Sequence, residues 1–296
     1  MTAQLIDGAA IAAQIRAEVA ARVAALRARG TTPGLAAILV GDNPASVSYV
    51  TSKAKACDEV GIFSQTFHLP AETPAPELFA LVESLNTDSR FHAILPQLPV
   101  PAQIDELAYI DAVKPEKDAD GLHPLNLGRL LRGETGGAIP CTPNGVVELL
   151  ARAGIDPAGK HVVVVGRSTL VGRPLAILLS NKAKGANATV TICHTGTPEV
   201  ARFTREADIV VLAAGNPKTL TGDMIRPGAV VIDVGTNRIE APGRPSGFRL
   251  VGDADLSVRE VASFVTPYTG GVGPMTIAML LVNTVRAAER SLAGAG

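Results

Sequence analysis

The chain alternates short apolar, β-branched runs with segments of helical periodicity from residue 35 almost to its end. Alternation of this kind is typical of βαβ units built around a mostly parallel sheet. In the first half it predicts strands at 35–40, 62–69 and 91–95, and helices at 44–60 and 77–85. An amphipathic helix from near Asp7 to Gly30 is predicted to precede them, because helices commonly end at a glycine.

A second series follows a break at 114–142, a stretch rich in Pro, Gly and Asp. It predicts strands at 161–165, 188–193, 207–214 and 229–234, helices at 144–153 and 171–181, and a terminal helix opened by Pro274. The continuous apolar character of these strands favours helices on both faces of the sheet. We therefore predict an α/β protein of two α/β lobes, the second a Rossmann-like doubly wound parallel sheet, with a cleft between them. The expected domains are 1–140 and 141–273, with the helix 274–296 packing back on the first.

Charge and cysteine content exclude several classes of function. The 27 basic and 28 acidic residues nearly cancel, so no strong field recruits nucleic acid or an anionic membrane. Cys57, Cys141 and Cys193 fit no zinc-ligand spacing, which favours free thiols in a reducing cytosol. Charged residues interrupt the apolar N-terminus, unlike a signal peptide, and no apolar run is long enough to span a bilayer. We expect a cytoplasmic protein that holds no metal.

A candidate phosphate-binding turn occurs in VVVVGRSTLVGRPLAILL, where a buried strand ends at Gly166 and a helix begins near Gly172. A doubly wound sheet presents backbone N–H groups to a pyrophosphate at such a point. The spacing departs from G-x-G-x-x-G, because the two glycines are six apart and Ser168 replaces the middle one. The alternative is a tight turn that binds nothing.

The residues after the next strand favour NADP over NAD. An NAD site carries a carboxylate there for the ribose 2′-OH, whereas this chain has His194, Thr195 and Gly196. The guanidinium of Arg167, with the Thr195 hydroxyl, suits a 2′-phosphate. The alternative for Arg167 is a solvated surface arginine.

Tyr49 and Lys53 stand four positions apart in a predicted helix and therefore share a face. Such a pair suggests a short-chain dehydrogenase. Chain order argues against that family, because the pair precedes Gly166 and belongs to the other lobe.

Eight sequence blocks in order carry a resemblance to one family. They are SYVTSKAKACDEVGI (48–62), QLPVP (97–101), KDADGLHPLNLGRL (117–130), PCTPNG (140–145), GRSTLVGRP (166–174), DVGTN (233–237), VGDAD (251–255) and GGVGPMT (270–276). Together they resemble the bifunctional methylenetetrahydrofolate dehydrogenase/methenyltetrahydrofolate cyclohydrolase family. The resemblance implies oxidation of 5,10-methylenetetrahydrofolate with NADP and hydrolysis of the methenyl product to 10-formyltetrahydrofolate. It also implies a homodimer.

The resemblance implies catalytic roles for residues of the first lobe. Lys53 would transfer the proton, Gln97 would hold that lysine by a hydrogen bond, and Tyr49 would stack on the aminobenzoyl portion of the folate. A lysine can serve this role near neutral pH only if burial or a neighbouring cation lowers its pKa. Asp120 would hold the amino-pyrimidine edge of the pterin. An Asx-type turn before Gly121 is the structural alternative for Asp120.

In the second lobe, the resemblance implies that Gly270 and Gly271 admit substrate and nicotinamide close to the backbone, with Pro274 beside them. The alternative for Pro274 is a helix-start proline that touches no ligand. Thr236 stands beside the cofactor at a position usually held by isoleucine, and the stretch 267–269 (PYT) replaces the usual Pro-Val-Pro. His123 is expected to be a structural loop residue.

Two other functions stay open at this point. A two-lobed NADP dehydrogenase of the shikimate or amino-acid type has the same lobe order, but the QLPVP block has no role there. A non-catalytic NADP-binding sensor would share the fold, and it predicts loss of Lys53, Gln97 or Asp120.

Overall fold

The computed structural model describes residues 2–134, 136–243 and 247–294. Its helices are α1 (Gly8–Ala28), α2 (Pro44–Val60), α3 (Ala75–Thr87), α4 (Glu106–Asp111), α5 (Pro124–Leu131), α6 (Cys141–Arg152), α7 (Gly172–Ser180), α8 (Val200–Thr204), α9 (Val258–Val261) and α10 (Val272–Gly294), with a 3-10 turn at Gly222–Met224. Its strands are β1 (Gln4–Leu5), β2 (Gly34–Val40), β3 (Phe63–Leu69), β4 (Ala93–Pro96), β5 (His161–Val165), β6 (Thr189–Cys193), β7 (Ile209–Leu212), β8 (Val230–Asp233), β9 (Asn237–Glu240), β10 (Phe248–Val251) and β11 (Phe264–Val265).

Two compact units divide the chain. One comprises Met1–Ala12 and Thr142–Thr276, and the other comprises Ala13–Cys141 and Ile277–Gly296. We call the first, which contains Thr142–Thr276, the C-terminal unit, and the second, which contains Ala13–Cys141, the N-terminal unit.

The N-terminal unit is built on a three-stranded parallel sheet with the order β3-β2-β4. Every residue of the central strand β2 is buried, which explains its uninterrupted apolar sequence. Helix α2 begins where the Asn43 side chain accepts a hydrogen bond from Ala45 N at 3.0 Å, with Pro44 at the first helical position. It ends at Gly61, whose φ of +82° is in the left-handed region.

The C-terminal unit is built on a six-stranded sheet with the order β1-β11-β8-β7-β5-β6, in which every pairing is parallel. The residues of β7 and β8 are all buried, and so are four of the five in β5. Strands β9 and β10 form a separate antiparallel pair. The predicted α/β class with a Rossmann-like parallel sheet is confirmed.

The structure contains elements that the pattern does not predict. Helix α5 lies inside the stretch 114–142, whose Pro and Gly content predicts a loop. His123 caps this helix, because its Nδ1 accepts a hydrogen bond from Leu125 N at 3.0 Å, and Pro124 occupies the first position, where its missing N–H is harmless. His123 is therefore a structural residue, as expected.

Across the described residues, no helix combines the length and hydropathy needed to cross a bilayer. Cys57, Cys141 and Cys193 are free thiols and all three are buried.

Candidate active site and nucleotide-binding turn

The two residues of the Tyr-x-x-x-Lys pair in helix α2 differ in solvent exposure. Lys53 is 8% exposed, whereas Tyr49, one turn earlier, is 51% exposed. The same helical face therefore presents a buried ammonium next to an accessible aromatic ring.

Gln97 fixes the orientation of the lysine head group. It directly follows β4, and its backbone N–H donates to Ile38 O at 3.0 Å. Its side-chain Oε1 accepts a hydrogen bond from Lys53 Nζ at 3.1 Å, while its Nε2 donates to Leu98 O at 2.6 Å. Because the Nε2 group is engaged by a carbonyl, the amide oxygen must face the ammonium.

The turn that carries Asp120 is held by its neighbour Asp118. Asp118 Oδ1 accepts a hydrogen bond from Gly121 N at 2.9 Å. Asp118 Oδ2 accepts from His123 N and from Asn126 Nδ2, each at 2.9 Å. Burial raises the pKa of the Asp118 carboxyl, although these hydrogen bonds oppose the rise. The Asx-type turn considered for Asp120 thus belongs to Asp118, and the half-buried Asp120 side chain lies outside it.

Cys141 lies among the charged groups of this site. Its Sγ donates to Ala119 O at 3.4 Å. Burial, and then the Asp120 carboxylate, raise the pKa of the thiol, while the Lys53 ammonium opposes them. Lys53, which is hydrogen-bonded to Gln97, and Asp120 therefore both act on the Cys141 thiol.

Asn283 of α10 stabilises the turn that carries Asp120, a role that the sequence did not predict. It is 2% exposed, and its Nδ2 donates to Ala119 O and Ile139 O, each at 2.9 Å. A polar residue within a long apolar helix indicates a buried hydrogen bond. Its partners, however, are over a hundred residues away in the chain. Sequence alone could not pair them.

In the C-terminal unit, the two glycines of the candidate phosphate turn are sterically required. A Cβ on Gly166, whose φ is +137°, would lie 2.2 Å from Ala213 O, and a Cβ on Gly172 would lie 2.1 Å from Gly166 O. Ser168 closes the turn, because its Oγ accepts a hydrogen bond from Val171 N at 3.1 Å. The six-residue spacing therefore still gives a tight strand-to-helix connection from β5 to α7.

The residues predicted to choose the cofactor lie at the ends of neighbouring strands. Val165 of β5 is in register with Cys193 of β6, and Gly166 N donates to Cys193 O at 2.8 Å. Arg167 and Thr195, which follow these strand ends, are exposed. The glycine-containing turn and the exposed guanidinium of Arg167 suit a phosphorylated dinucleotide.

Two buried aspartates order the loops beside this turn. Asp233 accepts hydrogen bonds from Gly235 N at 2.9 Å and Asp253 N at 3.0 Å. Asp253 is 0% exposed, and its Oδ2 accepts from Ala214 N at 2.8 Å and Gly215 N at 2.9 Å. The DVGTN and VGDAD blocks thus form a structural network, which sequence reasoning did not assign. Thr236 is exposed next to it.

The GGVGP segment packs against the start of α1. Gly270 O accepts a hydrogen bond from Ala9 N at 2.8 Å, and a Cβ on Gly271 would lie 2.3 Å from Pro267 O. Pro274 is the third residue of α10. These three residues belong to the C-terminal unit, whereas Lys53, Gln97 and Asp120 belong to the N-terminal unit.

Residues 6–120 match the family model for the tetrahydrofolate dehydrogenase/cyclohydrolase catalytic domain, and residues 140–292 match that for its NAD(P)-binding domain. The chain belongs to the tetrahydrofolate dehydrogenase/cyclohydrolase family.

Members of the tetrahydrofolate dehydrogenase/cyclohydrolase family resemble it over nearly their whole length. A bifunctional FolD protein of Delftia acidovorans is 54% identical, over 98% of this chain and 99% of the relative. The crystal structure of the bifunctional FolD enzyme of Campylobacter jejuni superposes with a TM-score of 0.92 at 45% identity, covering 97% of this chain and 99% of that one. The Trypanosoma brucei FolD structure has a TM-score of 0.92 at 43% identity and covers 99% of both chains.

Proposed function

We propose that the chain is a bifunctional enzyme of one-carbon metabolism. It oxidises 5,10-methylenetetrahydrofolate with NADP and hydrolyses the 5,10-methenyl product to 10-formyltetrahydrofolate. The observation that carries the proposal is the buried Lys53–Gln97 hydrogen bond beside Asp120, in a chain that belongs to this family.

Hydrolysis is assigned to the N-terminal unit. Water adds to the electron-poor methenyl carbon and loses both of its protons as the formyl carbonyl forms; one proton goes to the nitrogen released when a C–N bond of the ring opens, and the other leaves to solvent. Lys53 Nζ uses one N–H group in its hydrogen bond to Gln97. Its other N–H groups remain available to the water and the leaving nitrogen. Gln97 acts as the residue that positions the lysine.

Tyr49 and Asp120 are proposed to bind the folate. The ring of Tyr49 is half-exposed and so can stack on the flat aminobenzoyl group. The Asp120 carboxylate can accept the paired donors of the amino-pyrimidine edge, because Asp118 already satisfies the turn.

Nucleotide binding is assigned to the C-terminal unit. NADP, when bound, accepts the hydride that the folate nitrogen lone pair helps to expel. Gly166 and Ser168 would admit its pyrophosphate, and Arg167 with Thr195 would hold its 2′-phosphate, with Thr236 beside the nucleotide. The T. brucei structure contains NADP, which supports this choice. Gly270, Gly271 and Pro274 are proposed to approach the substrate.

We propose that the N-terminal unit is the folate-binding domain and the C-terminal unit the NADP-binding domain. The bounds expected from the sequence, 1–140 and 141–273 with helix 274–296 on the first, differ at the N-terminus, because residues 1–12 belong to the C-terminal unit, where β1 pairs with β11. A cytoplasmic homodimer is proposed, and three buried free thiols suit a reducing compartment.

A Lys53→Met variant tests the hydrolytic part. We expect hydrolysis of supplied methenyltetrahydrofolate to fall by at least about a hundredfold, the usual scale of general acid–base catalysis, while NADP binding is kept. Lys55→Met is the matched control, because Lys55 is exposed on the same helix. If a folded Lys53→Met protein hydrolysed methenyltetrahydrofolate as fast as the parent, the lysine would have no role in the mechanism.

An Arg167→Ala variant tests cofactor choice. Loss of the guanidinium should weaken NADP binding far more than NAD binding, whereas Arg202→Ala, at an exposed arginine of α8, should affect neither. Equal losses for both nucleotides would contradict the 2′-phosphate assignment. The shikimate-type alternative is not favoured, and a sensor would need none of the Lys53, Gln97 and Asp120 set that this chain retains.

A further inference from the structure

The N-terminal unit contains a cavity of about 560 Å³ that none of the proposed functions uses. Its lining includes Phe91, His92, Pro115, Lys117, Arg129 and Arg290, and we name it the cationic pocket. Its volume lies in the range of small-molecule sites, roughly 300–1,000 Å³.

The cationic pocket gathers guanidinium groups whose charges are poorly balanced. Arg290 is half-buried on α10. Burial, and then Arg286 and Arg129, lower the pKa of Arg290, and Glu116 and Glu289 oppose this only in part. Within residues 2–134, 136–243 and 247–294, the Arg290 side chain forms no hydrogen bond and no ion pair. Binding of an anion would stabilise a half-buried guanidinium in this position.

Neither of the two acids that act on Arg290 fully balances its charge. Glu289 is held by Arg22 through two contacts, Nε to Oε1 at 3.0 Å and Nη2 to Oε2 at 2.7 Å. Both oxygens of its carboxylate are therefore engaged elsewhere. Among the described lining residues, Glu116 alone adds a negative charge.

The remaining polar groups of the pocket are already oriented. Lys117 Nζ donates to Leu85 O at 2.9 Å and Asp88 O at 2.8 Å, which fixes its head group. His92 Nδ1 accepts a hydrogen bond from Gly34 N at 3.1 Å, so the neutral ring carries its hydrogen on Nε2, where it can donate to a ligand. Oriented donors bind with a smaller entropy loss than mobile ones.

The cationic pocket lies at the opposite end of β4 from the candidate catalytic residues. His92 precedes the strand and Gln97 follows it, so the five intervening steps separate them by about 16 Å at roughly 3.3 Å per residue. A ligand there would not occupy the Lys53–Gln97 site.

We propose that the cationic pocket binds a small organic anion in which a phosphate or carboxylate group is attached to a flat apolar body. Arg290 and Arg129 take the oxyanion through charge-assisted hydrogen bonds, with His92 Nε2 as an uncharged donor. Phe91, Pro115 and Ala287 supply the apolar wall. This site is independent of both proposed reactions.

Isothermal titration calorimetry on the full-length protein tests the proposal, with inorganic phosphate, citrate, AMP and adenosine as probes. We expect AMP to bind more tightly than phosphate, and adenosine to give no signal. Citrate distinguishes a carboxylate preference from a phosphate preference. Arg290→Ala should weaken binding of the preferred anion by about tenfold or more, and Arg290→Lys should restore part of it.

Two control variants show whether the anion binds at the cationic pocket. Arg132→Ala removes an arginine that is 77% exposed at the end of α5 and should leave binding unchanged. Arg167→Ala should also keep the signal, because the nucleotide turn is a different site. The proposal is overturned if no anion binds, or if a folded Arg290→Ala protein binds the anion as tightly as the parent does. It is also overturned if Arg167→Ala abolishes the signal while Arg290→Ala does not.

Discussion

Replacement of Asn283 by leucine isolates the hydrogen bonds that hold the Asp120 turn. Leucine keeps the branching at Cγ but donates nothing. The Asn283 Oδ1 has no hydrogen-bond partner among the described residues, so only the Nδ2 contacts are lost. These are the bonds to Ala119 O and Ile139 O, with a longer contact to Cys141 Sγ at 3.5 Å.

The size of the effect follows from those two carbonyls. Ile139 O is left without a donor, which costs about 1–3 kcal/mol, whereas Ala119 O keeps the weak donor Cys141 Sγ and loses less, so the pair costs about 2–5 kcal/mol. Leucine recovers a part by burying apolar surface, and we expect a net loss of about 3 kcal/mol. That is a large share of the roughly 5–15 kcal/mol that stabilises a typical domain.

Urea unfolding followed by circular dichroism measures the loss, with Gln14→Leu as a control at an exposed position of α1 that should change stability by less than about 0.5 kcal/mol. Because Ala119 directly precedes Asp120, KM for the folate should rise in Asn283→Leu more than kcat falls. A stability loss under about 1 kcal/mol, with an unchanged KM, would refute the reasoning.

Three other perturbations test separate parts of the structure. Gly172→Ala should destabilise the protein by about 2 kcal/mol or more, since its Cβ would lie 2.1 Å from a backbone oxygen; Gly128→Ala, inside α5 with open space around it, should instead stabilise by up to about 1 kcal/mol in the same urea assay. Burial, and then Lys117, lower the pKa of His92, so the unfolded chain takes up a proton that the folded chain does not. The free energy of unfolding should therefore fall as pH drops below about 6.5, and His92→Asn should flatten that fall; an equal slope would contradict this. Burial, and then Asp58, raise the pKa of Cys57 to about 12, so iodoacetamide at pH 8 should leave it unmodified until urea is added, as mass spectrometry would detect.

The elements that can be predicted from the sequence are those with long apolar runs. The predicted bounds of strand β2 and helix α2 lie within a residue of the observed ones, because burial imposes one pattern along their whole length. Strands β1 and β11 have only two residues each and form through pairing with distant chain segments, which leaves no periodic signal. Helix α5 escapes prediction because its Pro and Gly are typical of a loop.

Within the candidate site, residue type could be predicted but division of labour could not. Two carboxylates two positions apart, Asp118 and Asp120, are chemically equivalent in sequence, and either could close a turn before Gly121. Burial separates them: Asp118 is 5% exposed and accepts three hydrogen bonds, which commits it to structure. An Asp118→Asn change would place an amide N–H against one of those donors and should unfold the turn, whereas Asp120→Asn should leave stability nearly unchanged and reduce folate binding. If Asp120→Asn lost as much stability as Asp118→Asn, the two roles would have been assigned to the wrong carboxylates.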